Sequence, residues 1–108
     1  MPDSLRQYKA EIFQALGNPT RIAIVDELRD GELTVGVLAE RLEAEQSNVS
    51  QHLAILRARQ IVAARKVGNQ VFYSVRDPLL WKVLDLMRRY FEKQVGESVR
   101  VLERQTFK

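Results

Sequence analysis

Apolar positions in the first sixty residues recur every three or four residues, which is the period of an amphipathic helix. This spacing predicts four helices separated by short polar segments. Their apolar stripes are formed by Leu5, Tyr8, Ile12, Phe13 and Leu16; by Ile22, Val25 and Leu28; by Val37, Leu38 and Leu42; and by Val49, Leu53 and Leu56.

Residues that favour helix starts lie at the boundaries of these stripes. Ser4 begins a sequence of capping-box form and predicts a first helix over residues 4–16. Asn18, followed by proline, predicts the start of the second helix. Thr34 is predicted to cap the third helix. A short polar turn then precedes a fourth helix, predicted over about residues 46–59.

The hydrophobic period changes after the fourth helix. Residues 62–67 and 70–75 are rich in β-branched and aromatic side chains, and Gly68 and Asn69 separate them. Two such runs joined by two residues of this type predict a tight β-hairpin.

A helical period returns after Asp77 and predicts a last helix over residues 78–105. Gly96 interrupts the pattern, so a kink or a break is expected there as an alternative to a continuous helix. Two apolar lines run along this helix. The first is Leu80, Leu84, Met87, Phe91, Val95, Val99 and Leu102, and the second is Leu79, Val83, Leu86 and Tyr90.

The order of these elements predicts a mainly α fold with a small β-hairpin wing, in one domain over residues 1–108. Residues 34–59 have the proportions of a helix-turn-helix, and residues 62–75 would form the wing. In that motif the second helix enters the major groove of DNA with its N-terminal residues against base edges. The fold class expected is therefore a winged helix-turn-helix.

The predicted fourth helix begins with side chains suited to reading DNA. Gln and Asn make paired hydrogen bonds to adenine, and Ser bonds to phosphate or base. The candidates for base contacts are Gln46, Ser47, Asn48 and Gln51. The candidates for contacts to phosphate or to the groove beside the wing are Ser50, His52, Arg57, Arg65, Lys66, Asn69 and Gln70. For His52, a hydrogen bond to a neighbouring backbone group is the alternative to a phosphate contact.

Charge is concentrated in the same part of the chain. Residues 45–76 carry five basic side chains and one acidic side chain, whereas residues 1–44 carry five basic and eight acidic ones. A positive segment at the predicted helix-turn-helix favours a double-stranded DNA partner. The alternatives are that these polar residues are only solvated and that the hairpin only closes the core.

The composition excludes several kinds of chemistry. The 108 residues include no Cys and one His, which removes disulfides, zinc–thiolate sites and a two-His metal motif within one chain. No nucleophile–base arrangement and no phosphate-binding glycine loop is visible, so neither an enzyme nor a cofactor is expected. The apolar runs are too short to span a membrane. A soluble, cytoplasmic protein is predicted.

The last helix carries more apolar surface than one small domain needs. Two lines on one helix suggest one face for the core and one for a partner. We therefore predict a homodimer formed by the first and last helices, with two recognition helices about one DNA turn apart. The predicted interface residues are Leu5, Tyr8, Ile12, Leu80, Leu84, Met87, Phe91 and Val95. A winged-helix module whose last helix binds another protein is the alternative.

Three segments resemble the ArsR family of winged-helix repressors. Residues 13–21 resemble its L-(A/G)-(D/N/H)-P-T-R signature, residues 47–57 its recognition helix S-x-V-S-x-H-L-x-x-L, and residues 67–73 its wing G-x-x-V-x-Y. The resemblance covers roughly residues 5–95. It implies a homodimer that binds an inverted-repeat operator, represses transcription and is often released by a metal or another inducer.

The chain departs from that family at its metal-sensing motif. Where metal-sensing members carry E-L-C-x-C-D-L, Thr34 and Gly36 replace both thiolates and Val37 replaces the carboxylate. No His follows residue 52, so neither familiar metal site is expected. An atypical oxygen-rich metal site stays open, and no effector is assigned. Gln60 stands where the family usually has Gly, so it either adopts a left-handed conformation or the helix ends differently.

Overall fold

Five helices and three strands follow one another in the part of the chain that the structure describes. A computed structural model describes the backbone of residues 2–106 and the side chains of residues 3–97. The helices are α1 (Pro2–Leu16), α2 (Pro19–Glu27), α3 (Val35–Leu42), α4 (Gln46–Ala58) and α5 (Leu79–Thr106), and the strands are β1 (Leu33–Thr34), β2 (Val62–Val67) and β3 (Gln70–Val75). A 3-10 turn, Leu28–Asp30, follows α2.

The chain divides into two compact units between Asp77 and Pro78. The first contains α1 to α4 and the sheet, and the second consists of α5. That the two act as one domain stays a prediction.

Two predicted helix starts are confirmed by their hydrogen bonds. The Asn18 side-chain oxygen accepts from the backbone N–H groups of Thr20 at 2.9 Å and Arg21 at 3.2 Å. The Thr34 hydroxyl accepts from the Val37 N–H at 3.3 Å. The predicted cap at Ser4 is wrong, because α1 begins two residues earlier and Ser4 lies in its first turn. Proline is compatible with that first turn, where an N–H group has no helical partner.

The core of the first unit is built mainly from α2, α3 and α4. The largest fully buried side chains are Ile24, Val25, Leu28, Leu38, Val49, Leu53, Leu56 and Val62. The predicted stripe of α4 is therefore buried as expected. On α1 the buried positions are Ala15 and Leu16, at the C-terminal end of the helix, so Leu16 is the buried member of its predicted apolar line. Ile22, predicted to lie on the buried stripe of α2, is exposed.

The predicted hairpin is present with the predicted bounds. Of its two turn residues, Gly68 has a positive φ of 59° and Asn69 does not, which is the pattern of a type II′ turn. The strand β1 was not predicted. It pairs antiparallel with β3, Leu33 opposite Tyr73 and Thr34 opposite Phe72, and gives the strand order β1-β3-β2.

At the end of α4, Gln60 adopts the left-handed conformation, which was one of the two predicted alternatives, with a φ of 60°. The Gln60 N–H donates to the Arg57 carbonyl at 2.9 Å, and the Ile61 N–H donates to the Leu56 carbonyl at 3.0 Å. These two bonds form a Schellman motif with Gln at the position that usually holds Gly. The Gln60 side chain also accepts a hydrogen bond from Arg76 at 3.0 Å.

The second unit is one long helix. It begins at Leu79, one residue later than predicted, and runs through Gly96 without the break that was one expectation. The side chains of Val99 and Leu102 lie outside the described ones. No helix within the described residues is long and apolar enough to cross a membrane. The exposed apolar side chains of α5 are Leu79, Val83, Leu86, Met87, Tyr90, Phe91 and Val95.

Candidate DNA interface

The first two turns of α4 present polar side chains to solvent. Val49 is fully buried and, with Leu53 and Leu56, fixes the rotation of the helix against the core. The other positions from the helix start to Gln51 therefore point outward. The five exposed residues are Gln46, Ser47, Asn48, Ser50 and Gln51, all of them predicted DNA contacts.

No side chain caps the start of α4. The residue before the helix is Glu45, in extended conformation, and its side chain accepts no cap hydrogen bond. The first helical bond is that from the Val49 N–H to the Glu45 carbonyl, at 3.1 Å. The preceding N–H groups have no partner within the helix. Such groups and the helix dipole together favour an anion such as a DNA phosphate.

His52 is half-buried and has a side-chain partner. Its Nδ1 lies 3.1 Å from Nη1 of Arg21, and because a guanidinium only donates, Nδ1 is the acceptor. The same guanidinium donates through Nε to the Ala15 carbonyl and through Nη2 to the Gln14 carbonyl at 3.5 Å. Arg21 thereby joins the C-terminal end of α1 to α4. Nδ1 of His52 thus bonds to a side chain and not to a backbone group, which was one of the two predicted alternatives. The other alternative, a phosphate contact, stays a prediction.

The register of the hairpin separates two adjacent cations. Lys66 lies opposite Val71 and Arg65 opposite Phe72, so the two side chains leave opposite faces of the sheet. The face of Lys66 also carries the buried Val62 and Val75. Lys66 therefore lies on the core side of the sheet, the side that faces the helices, and Arg65 lies on the other side.

Arg65 is held by an ion pair. Its Nη2 and Nε both donate to the Glu32 carboxylate, the second at 3.3 Å, and its guanidinium lies 5.8 Å from the centre of the Phe72 ring. The hydrogen bond from Arg65 lowers the pKa of Glu32, and the same pairing raises the pKa of Arg65. A phosphate contact by Arg65 would have to replace this pair.

The cations of the positive segment differ in availability. Arg59 pairs with Glu11 at 3.1 Å and Arg65 pairs with Glu32, whereas Arg76 bonds to Gln60. Among the described residues, Arg57 and Lys66 have exposed side chains with no ion pair or hydrogen bond. These two are the cations most readily offered to a phosphate. The exposed Asn69 and Gln70 complete the hairpin tip.

The residues predicted to form a dimer interface are partly exposed in the single chain. On α1, Leu5 is 58% and Tyr8 53% exposed, and Ile12 is half-buried. On α5, Leu80 and Leu84 are half-buried. The other predicted residues of that helix, exposed by 36 to 58%, are Met87, Phe91 and Val95. Nothing within the first unit covers the N-terminal half of α1, since residues 3–10 are all exposed.

Two residues of this region were not predicted as contributors. Arg21 belongs to a recognised motif, but its bond to His52 joins positions 31 apart in sequence. Glu32 reaches Arg65 because β1 pairs with β3, and a two-residue strand leaves no periodic signal. Within residues 3–97 no group of three or more His, Asp and Glu side chains is placed to hold a metal ion.

Sequence comparison places the chain among known regulators. The profile described as "Bacterial regulatory protein, arsR family" matches residues 18–64, which include α2, α3 and α4. A relative in Mycobacterium tuberculosis, the uncharacterized HTH-type transcriptional regulator Rv0081, is 36% identical over 94% of this chain and 90% of its own. The transcriptional activator HlyU of Vibrio cholerae is 39% identical over 74% of each chain.

Comparison with solved structures agrees with the comparison of sequences. The crystal structure of Rv0081 superposes with a TM-score of 0.79, covering 88% of this chain and 96% of that one at 35% identity. A homodimeric winged helix-turn-helix DNA-binding domain from Mycobacterium bovis superposes with a TM-score of 0.80 over 89% of both chains at 23% identity. The fold is thus a winged helix-turn-helix, and the chain belongs to the arsR family of bacterial regulatory proteins.

Proposed function

We propose that the protein is a sequence-specific DNA-binding repressor that acts as a homodimer on an inverted-repeat operator. The observation that carries this proposal is the start of α4, where five polar side chains are exposed beside buried Val49. A helix that is fixed by its core and polar at its N-terminal end fits the major groove. Arg57 and Lys66, which pair with no other side chain among the described residues, supply charge for the phosphates that flank it.

The proposal assigns different roles to α4 and to the wing. Gln51→Ala removes a side chain placed to read a base, so operator affinity is expected to fall by about 1–3 kcal/mol while affinity for random DNA is unchanged. Lys66→Ala removes a phosphate contact, so both affinities are expected to fall and the salt slope to decrease by about one. Equal losses by both variants on both kinds of DNA would contradict these roles.

The homodimer is proposed from the exposed apolar faces of α1 and α5. Large side chains such as Tyr8, Phe91 and Val95 are more than half exposed in the single chain, and a second copy would cover them. The Mycobacterium bovis neighbour, which has the same fold, is described as homodimeric, and this supports a homodimer here. A two-fold dimer presents two α4 helices to two half-sites, and this is the basis for an inverted repeat.

Repression rather than activation is proposed from the family resemblance, although HlyU is named an activator. Both actions require the same DNA contacts, so the position of the operator decides between them. In vitro transcription from a promoter that contains the selected operator tests whether the protein represses or activates. Lower transcript yield with added protein is expected, and a higher yield would reverse this part of the proposal.

The first experiment is selection of binding sites from a pool of random duplexes, followed by sequencing, at two salt concentrations. We expect enrichment of an inverted repeat whose half-sites lie about one helical turn apart. Weak, sequence-independent and salt-sensitive binding would overturn the proposal. It would favour the alternative in which α5 binds another protein.

A further inference from the structure

An open cleft of about 450 Å³ lies beside α4 on the side of strand β3. Five of its lining residues come from α4 and the sixth is Tyr73, from β3. The lining residues are Ser50, Leu53, Ala54, Arg57, Ala58 and Tyr73. The cleft begins at a residue already proposed to contact DNA and extends away from the base-reading end of the helix.

The cleft exists because one line of α4 carries only small side chains. Ser50, Ala54 and Ala58 follow one another at intervals of four residues, so they lie above one another on one face. A larger side chain at Ala54 or Ala58 would occupy the space. Tyr73 closes the opposite wall, because it lies on the face of β3 that also carries the buried Val75.

The polar groups of the cleft favour an anion. Arg57 has an exposed guanidinium with no partner among the described residues, and no carboxylate lines the cleft. The Ser50 and Tyr73 hydroxyl groups are hydrogen-bond donors. Lys66 lies on the same sheet face as Tyr73, one inward-facing position nearer the hairpin tip. Glu32, which binds Arg65, belongs to the other face.

We propose that this cleft binds a phosphate of the DNA backbone, and that Tyr73 is a DNA contact between those of α4 and those of the wing. In this arrangement Arg57 supplies the charge, and the Ser50 and Tyr73 hydroxyl groups donate to the phosphate oxygens. The inference rests on the proposed function and adds Tyr73 to it. An anchor at this point fixes how deeply α4 enters the groove, since phosphate contacts set register and orientation.

The test compares Tyr73→Phe with wild type on the selected operator and on random DNA by fluorescence anisotropy. We expect about tenfold weaker binding per half-site on both DNAs, the size typical of a hydrogen bond to a charged group. The salt slope stays unchanged, because a neutral donor releases no counterion. Ser74→Ala is the matched control. It removes a hydroxyl from the other face of β3 and leaves binding unchanged.

Two further variants test the cleft itself. Arg57→Gln is expected to weaken binding on both DNAs and to reduce the salt slope by about one. Ala54→Leu fills the cleft without removing a donor and is expected to weaken binding more than Tyr73→Phe does. Thermal unfolding and sedimentation of every variant must match wild type, so that a loss of affinity reflects the cleft and not the fold.

Operators with a single neutral methylphosphonate identify the phosphate. At one position per half-site, the methylphosphonate should weaken operator binding by wild type. On that modified operator, Tyr73→Phe and wild type should bind with the same affinity, because the phosphate contact of Tyr73 is already lost. If Tyr73→Phe binds as wild type does, or weakens binding to the operator alone, the inference is overturned while the proposed function stands. If wild type selects no inverted repeat, the proposed function itself fails. Competition by inorganic phosphate alone, with no methylphosphonate effect, would assign the cleft to a free anion and also overturn the inference.

Discussion

Gln60 occupies a backbone conformation that an L-residue adopts at a cost. Its φ of 60° closes the Schellman motif at the end of α4. Glycine has no Cβ and adopts this conformation freely. We expect Gln60→Gly to raise the free energy of unfolding by about 1 kcal/mol, measured by urea denaturation at fixed protein concentration.

The control for this variant is Gln60→Ala. It keeps the Cβ, and with it the backbone cost, but removes the amide that accepts from Arg76. It should therefore fail to stabilise the protein. Equal stabilisation by Ala and Gly would show that the gain does not come from the backbone of residue 60.

Glu32 gives the stability of the wing a pH dependence. The Arg65 hydrogen bond lowers the pKa of Glu32 in the folded protein. The pair therefore stabilises the fold at pH values above 4.5, the ordinary pKa of Glu. This contribution is lost as the pH falls through the lowered folded pKa. The stability difference between wild type and Glu32→Gln should therefore be constant from neutral pH down to about 5 and shrink below 4.5.

Urea denaturation of both proteins across this pH range measures the difference. The pair is solvent-exposed, so added salt should also reduce it. A difference that grows on acidification would contradict the assignment of Glu32 as the titrating partner.

At the scale of elements, Arg21 connects three helices. It lies in the first turn of α2, bonds to carbonyls at the end of α1 and donates to His52 on α4. Arg21→Ala and His52→Ala should each destabilise the fold. In the double variant the losses should fall short of their sum by about 1 kcal/mol, which is the coupling of the shared hydrogen bond.

Thermal or urea unfolding of the four proteins in this cycle gives the coupling. An absence of coupling would bear on the role of His52, which was predicted to contact phosphate. If its replacement weakens DNA binding but shows no coupling to Arg21 in stability, His52 acts on the DNA and not on the packing of the helices.

The elements predicted correctly are those whose signals are local. Asn18 and Thr34 cap helices with hydrogen bonds two or three residues away, and Gly68 with Asn69 sets a two-residue turn. β1 could not be predicted, because two residues show no period and the strand exists only through its pairing with β3. Ser4 is the exception, because its capping-box pattern is local and yet lies inside the first turn of α1 instead of before the helix.

At the scale of the whole molecule, the apolar faces of α1 and α5 should determine the oligomeric state. We expect Phe91→Glu to convert the proposed dimer to a monomer, because two charged side chains would be buried without partners at the two-fold interface. Sedimentation equilibrium measures the change. Lys93→Glu is the control, since residue 93 is displaced by about 200° around the helix and should leave the dimer intact.

Operator binding by Phe91→Glu should fall to that of a single half-site, although α4 itself is unchanged. A monomeric Phe91→Glu that binds the full operator as tightly as wild type would remove the dimer from the DNA-binding mechanism. A wild type that is monomeric at all concentrations would contradict the dimer directly.

The sequence predicts which residue types form the candidate site, but not which of its cations are held in ion pairs. The polar start of α4 is a local pattern, and all five of its predicted base-side or phosphate-side residues are exposed. The division of the cations is not local. Arg59 and Arg65 are paired with residues 48 and 33 positions away, so only the folded chain separates them from Arg57 and Lys66.

The missing cap of α4 has a consequence for the order of events on the operator. Because the Glu45 side chain accepts no hydrogen bond from the first turn of α4, we expect local opening of that turn to cost less free energy than opening of the turns that follow it. A phosphate at this end would accept the free N–H groups and complete the helix, so part of the recognition surface becomes rigid only on the DNA. Amide hydrogen exchange at residues 46–48 would then slow on binding, and the entropy lost in ordering that turn would be part of the operator affinity.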